Sequence, residues 1–571
     1  MKIITKKILI TMPVKSIIHK SFSKVLLMLL LSIIINKVSF AQPGVIDNTV
    51  VVVAAYEPTI SDAYKITFNP TMKDTVFETP KLSYGIESNS INTSITLEPI
   101  KAAKVVGEPV IKLYKNLIKA GFGNYTTPYF ELFANTTRSK TDAFGAHIKY
   151  LSSTGSIKDY SNSDYSDLNM EVYGKKYLKK STLDGEVFFS RNALNYYGYD
   201  HNDAALSNSI KDTKQRYALI GLNTSYYSNY VDSNSLDYKL TLGYSNLSDY
   251  YKSSENNVKL GLDVSQNLKL FKLANRQAIG LKANLDYYNN TIAGATANTA
   301  LVKLQPFVSA HLNEYMLYAG LNVSFVTGTE SKIYFYPVIE GSLAVIPKVL
   351  KVFAGIKGEI TRNSFKSLSD ENPYIETNVP MQYANNKFEF YGGIHTSLTK
   401  TIDFTARLST KSIDGYPLFV TDTTKSNMFT VVYDNINVFN INSEIQWRTN
   451  DKITLLAVAN WNQYSTNEVK AWHKPTLDAK FSVYYNINNK IITHLDIFAF
   501  NNMYARTFNK GVVEATTING MVDFNLGIEY RVTKIFSAFV NLNNFGTTQY
   551  YNWYNYPSQR FNLLAGLTYA F

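Results

Sequence analysis

The sequence predicts an all-β protein: a transmembrane antiparallel β-barrel of about 22 strands, preceded by a short N-terminal segment. Three observations carry that expectation. The strands are long and of period two, their connections alternate short and long, and the last strand ends its apolar face on the terminal Phe571. The composition agrees. Of 571 residues 14% are aromatic, with 43 Tyr and 32 Phe, while only 18% are charged, against ~25% charge in an ordinary soluble domain. No apolar run of helix-spanning length, about 20 residues, follows residue 40.

The first element is an address. Lys2, Lys6, Lys7, Lys15, Lys20 and Lys24 precede the apolar run VLLMLLLSIII at residues 25–35, and Ser39-Phe40-Ala41 follows. A basic region, a short apolar core and a small-x-small site make a secretory signal peptide, cut between Ala41 and Gln42. Residues 1–41 hold seven lysines and no acid. Without them, 50 basic residues stand against 45 acidic ones. So small and dispersed a charge excess implies no nucleic-acid partner.

Residues 42–116 contain Pro58, Pro70, Pro80, Pro99 and Pro109 among short apolar stretches. Proline interrupts regular structure, so this part reads as a short periplasmic or lumen-inserted segment.

The barrel is expected over residues 117–571. Tyr238, Leu240, Leu242 and Tyr244 alternate with Lys239, Thr241 and Gly243; Val258, Leu260, Leu262 and Val264 alternate with Lys259, Gly261 and Asp263. Side chains at i and i+2 share a strand face, so each segment has an apolar and a polar side. Pairs such as Tyr196-Tyr197, Tyr226-Tyr227, Tyr250-Tyr251, Tyr287-Tyr288 and Tyr550-Tyr551 fall where interfacial aromatic girdles sit. Turns of a few residues, as at 313–315, 399–401 and 532–534, alternate with long polar loops at 153–165, 193–214, 364–385 and 544–558. That asymmetry fits short periplasmic turns and longer outer loops. The count of about 22 strands takes residues 428–447 as one long strand.

The last strand places Phe561, Leu563, Ala565, Leu567, Tyr569 and Phe571 on one face. A terminal aromatic after alternating apolar residues resembles the signal read by the outer-membrane assembly machinery, carried here by Leu563, Leu567, Tyr569 and Phe571. Lipid offers backbone groups no hydrogen-bond partner, so such a sheet must close.

The final fifty residues resemble the end of a TonB-dependent receptor. The stretch Leu526-Gly-Ile-Glu-Tyr530, the run from Ala538 to Asn544, Tyr550-Tyr551, Tyr556-Pro557, Arg560 and the closing Gly566-Leu-Thr-Tyr-Ala-Phe571 are similar to that family's closing strands. The resemblance implies a receptor in the cell outer membrane that moves a solute through its lumen, with outer loops making first contact. It also implies a TonB-type energising partner. Within Asn48 to Tyr56, the residues Val50, Val51, Val52, Val53, Ala54 and Ala55 resemble the short box such a partner grips; the same run also reads as a plain β-strand. The family's plug is larger than the 75 residues from Gln42 to Asn116, and its Arg-Gly signature is missing there. Two other readings stay open: a plugless barrel subunit of an outer-membrane secretion or assembly complex, and a passive porin-like channel.

Site chemistry is sparse. The absence of Cys excludes thiol catalysis, Cys-ligated metals, disulfides and a lipidated N-terminal Cys. His147, His311, His395 and His494 fall on polar faces of separate strands, and His201 and His473 fall in loops. No spacing among them suits a metal. Polar-face Glu131, Glu171, Lys175, Lys259, Asp263 and Glu389 are expected to solvate a lumen. No enzyme, cofactor or metal site is expected; the partners are outer-membrane lipid, the assembly machinery and either an energising protein or partner subunits.

Overall fold

The computed structural model describes Gly85 and residues 113–571, except 201, 211–212, 230–234, 270–274 and 329. The signal peptide with its Ala41–Gln42 junction and the run from Val50 to Ala55 lie outside the described residues.

Twenty-two strands form one sheet. It runs from β1 (Asn116–Gly123) and β2 (Thr127–Asn135) round to β26 (Asn562–Ala570). β1 pairs antiparallel with both β2 and β26, so the sheet closes. Among the described residues no helix is long and apolar enough to cross a membrane. The strand number agrees with the sequence expectation, and residues 428–447 fall almost wholly in one long strand, β16 (Phe429–Asn450). Two small hairpins stand outside the barrel: β20 (Met503–Asn509) with β21 (Val512–Ile518), and β24 (Tyr551–Trp553) with β25 (Tyr556–Pro557).

Period two sorts the side chains. Phe122, Val172, Leu222, Leu260, Phe335 and Leu408 are exposed on the outer face, where a bilayer would cover them. Residues of the opposite parity, such as Glu171, Asp263, Lys303 and Arg407, point the other way, into the lumen, where they meet cross-strand partners. The seam is tight. Gly121 faces Gly566, and a Cβ on Gly566 would come within 2.2 Å of the Ala120 carbonyl oxygen and 2.6 Å of Phe539 Cζ. Glycine here lets two backbones and an inward phenyl ring share one layer.

The predicted short turns gather at the end that holds both ends of the barrel chain, where Asn116 and Phe571 exchange backbone hydrogen bonds at 2.9 and 3.0 Å. The long connections gather at the opposite end. There β15 (Ile402–Thr421) and β16 run 20 and 22 residues, about twice what a tilted crossing needs. Their register shifts between Ile413 and Tyr416, with Gly415 at φ +71°. This bulge bends the projecting ribbon.

Candidate functional site: the capped mouth and the lumen

The ribbon is buried on both faces. Leu418, Phe419 and Val420 are consecutive and each 0% exposed, which a strand with one wet face does not allow. Leu418 and Val420 pack with Trp472, Tyr504 and Ala515; Phe419 turns to the other side, edge-on to Trp553 at 5.2 Å. The long loops therefore fold on one another as a cap with its own aromatic core.

Tyr556 is the hub of that core. It stacks on Tyr374 at 3.7 Å and meets Tyr197 at 4.9 Å. Its hydroxyl donates to the Asn427 carbonyl at 2.5 Å, and Asn427 Nδ2 donates to the Tyr196 carbonyl at 3.3 Å. Tyr196 Oη donates to the Ile375 carbonyl at 2.8 Å and accepts from Gln215 Nε2 at 2.9 Å. The buried hydroxyls of Tyr556 and Tyr196 and the Asn427 amide thus find partners far away in the chain, which offsets the cost of burying them.

Buried carboxylates hold loop backbone. Glu255, 2% exposed, accepts from the Phe365 and Lys366 amides at 2.7 and 3.3 Å, at the start of the short helix Phe365–Glu371. Asp434 accepts from the Asn467 and Glu468 amides, both at 2.9 Å. Lys474 pairs with Glu371, tying the loop of residues 467–476 to the helix. Burial pulls the Lys474 pKa down, but Tyr416 and Glu371 outweigh it, and the pKa lies above the usual lysine value.

His473 sits in the middle of this packing. Its Nδ1 donates to the Phe419 carbonyl at 3.0 Å, and its Nε2 accepts the Tyr554 amide at 3.3 Å. Those two bonds require the neutral ring. Burial, with a further push from Lys474 and against the Phe419 carbonyl, lowers its pKa from 6.5 to about 4.

The lumen wall beneath carries paired charge. His147 Nε2 lies 3.1 Å from Glu131 and its Nδ1 3.0 Å from Glu171, while its ring stacks on Phe133 at 4.2 Å. Halfway round the barrel, Glu389 accepts from Arg407 at 2.7 Å and pairs with Lys357 at 3.6 Å. Lys175 pairs with Asp184, and Asp263 with Lys282. Of the polar-face residues that the sequence marked, Lys175, Asp263 and Glu389 are thus set in cross-strand ion pairs, and Glu131 and Glu171 meet across His147. His494 lies over Gly527, whose missing Cβ makes room for the ring, and Asp496 accepts from Ser482 at 2.5 Å. Among the described residues no group of three or more His, Asp or Glu is placed to hold a metal.

Of the cavities at the capped end, two share a wall. An inner one of about 450 Å³ is bounded by lumen-facing Asn192, Asp523, Asn525 and Asn562 and roofed by Tyr374 and Tyr550. An outer one of about 580 Å³ is bounded by Lys158, Asp159, Tyr160, Asp200 and Tyr551. Ser558, Gln559 and Arg560 line both.

The sequence placed the loops but not their cap. Tyr196, Tyr197, Tyr550 and Tyr551, read as girdle pairs, instead belong to the cap and its cavities, whereas Tyr250 and Tyr287 are exposed, at 51% and 39%. The available signal was aromatic density. A solvated loop has no use for Tyr550, Tyr551, Trp553, Tyr554 and Tyr556 within seven residues. Of the predicted C-terminal signal, Leu563, Leu567, Tyr569 and Phe571 all lie on the exposed outer face.

Solved structures of outer-membrane receptors match this fold. The pyoverdine outer membrane receptor FpvA of Pseudomonas aeruginosa superposes with a TM-score of 0.61 at 12% identity, over 81% of this chain and 79% of that one. The ferric-catecholate import receptor Fiu of E. coli gives 0.60 at 10%, over 81% and 82%. The siderophore receptor PirA of Acinetobacter baumannii gives 0.61 at 8%, over 81% of each. No protein-family model matches the sequence, and no curated protein matches it.

Proposed function

We propose that the chain is an outer-membrane solute receptor and transporter: its short turns face the periplasm, its cap faces outward, and a solute passes from the outer cavity to the lumen past residues 558–560. The observation that carries this reading is the combination of a mouth covered by folded loops with a lumen lined by paired charge. A passive porin has no use for loops packed on an aromatic core over its mouth. The likeness in fold to siderophore receptors over four fifths of the chain supports the same reading.

Export would depend on residues 1–41 with cleavage at Ala41–Gln42. Residues 42–116 would close the lumen from the periplasmic side, and Val50 to Ala55 would engage a TonB-type energising protein. No side chain in this scheme makes or breaks a covalent bond; the protein's work is binding and gating.

Planar-bilayer conductance of the detergent-purified, signal-cleaved protein, with and without residues 42–116, tests the scheme. A closed full-length protein and a large pore after truncation are expected. Equal conductance of both forms would remove the plug role. Deleting residues 50–55 should abolish uptake while leaving membrane insertion normal; unchanged uptake would rule out energised transport.

A further inference from the structure

We infer that the inner cavity binds a neutral, hydroxyl-rich solute of mono- or short oligosaccharide type, an inference that rests on the transport reading and names its substrate class. The argument starts from the polar groups. Side-chain amides are the most numerous polar groups of the cavity wall, among them Asn192, Asn525, Asn562 and Gln559; Asn192 and Gln559 each donate one bond to the protein, to Asp167 and Ser153, and Asn525 accepts one from the Asn544 amide. An amide offers an acceptor oxygen and two donor hydrogens, which suits hydroxyls that donate and accept at once.

The charges point the same way. The lining holds two carboxylates, Asp164 and Asp523, and one guanidinium, Arg560, so the formal balance is negative. Arg560 is exposed and donates to Gln549 at 3.3 Å. Asp523 is 1% exposed; one of its oxygens accepts the neighbouring Phe524 amide at 2.7 Å. An anionic ferric chelate would meet repulsion here, whereas a sugar hydroxyl would donate to a carboxylate.

The apolar surfaces complete the site. Tyr550 stands edge-on to Phe498 at 6.5 Å, and both line the cavity with Tyr197 and Tyr374. Such rings supply flat surfaces for the C–H face of a pyranose. A volume of about 450 Å³ falls within the ~300–1,000 Å³ of small-molecule sites. Residues 558–560 separate this cavity from the outer one and are held by the Tyr550–Ser558 backbone hydrogen bond at 2.7 Å. Displacing that segment would join the two spaces.

The test uses the signal-cleaved full chain in detergent. An array of neutral gluco-, galacto-, manno- and xylo-oligosaccharides of one to four units is screened beside an anionic ferric catecholate, and hits are titrated calorimetrically. Binding of a neutral saccharide is expected. Tyr550→Ala and Asp523→Asn should each weaken it about tenfold, while Tyr550→Phe, which keeps the ring, should stay within about threefold of the parent. Folding of each variant is read from its heat-modifiable gel band. Uptake of the same probes by whole cells with and without the chain, where an energising partner is present, separates the two readings. Catecholate binding and uptake with no saccharide binding overturns the substrate class and leaves transport standing. Saccharide binding without uptake supports the site and overturns transport. No binding of any neutral saccharide overturns the inference.

Discussion

Acidification should open the cap through His473. In the closed cap its ring is neutral, and its pKa lies near 4; in an opened, solvated loop it returns to about 6.5. Opening is therefore linked to proton uptake. The contribution of the neutral ring to closure is fully present above pH 6.5 and is lost progressively as pH falls toward 4. One pKa unit corresponds to about 1.4 kcal/mol, so closure loses about 2 kcal/mol at pH 5 and about 3 kcal/mol at pH 4. The structural cause is local: a proton on Nε2 would face the Tyr554 N–H that this nitrogen now accepts, in a site 5% exposed. Carboxylic acids as a class also take up protons toward pH 4, so the informative quantity is the difference between the parent and His473→Gln. Trp553, 5.1 Å from His473, and the fully buried Trp472 report opening by acrylamide quenching; Trp447 and Trp461 face outward and supply a constant background. The parent should become more quenchable between pH 6.5 and 4, and His473→Gln should show a shallower dependence over that window. Superimposable curves from pH 7 to 4 would show that His473 does not couple protons to the cap.

Three further outcomes are expected. Trp472→Ala removes a fully buried ring and should cost the cap about 3–5 kcal/mol; hydrogen exchange should rise in residues 467–476 and in the hairpin β20–β21, with barrel amides unchanged. Gly566→Val drives a side chain into the Ala120 carbonyl and the Phe539 ring at the seam, and should cost about 1–3 kcal/mol, seen as a lower temperature for loss of the heat-modifiable band. Phe571→Ala keeps the backbone bonds to Asn116 and removes an exposed ring stacked on Tyr569 at 5.5 Å. If the terminal aromatic is an assembly signal, the amount of protein in the outer membrane should fall severalfold while the thermal midpoint of the inserted fraction is unchanged.

Much of the barrel was legible because its physics is local. A side chain such as Leu260 or Lys259 is assigned a face by its neighbours alone, since the strand period is two. Turn positions such as Asn313 and Asn488, both at positive φ, are marked by residues that tolerate left-handed backbone. The long ribbon was harder to read: Leu418, Phe419 and Val420 break the alternation because both faces are covered by distant loops.

The sequence by itself determined the strand periodicity, the turn positions, the strand number near 22 and the outward apolar face that closes on Phe571. Only the tertiary structure decided that Tyr196, Tyr374, Trp472 and Tyr556 leave the solvent to form one cap, that His473 is neutral within it, and that amides from several strands meet around one cavity. The physical reason is range. Strand faces follow from residues two apart, whereas the Tyr196–Ile375 and Tyr556–Asn427 hydrogen bonds join residues 179 and 129 positions apart, which come together only once the barrel has closed and brought its loops over one mouth.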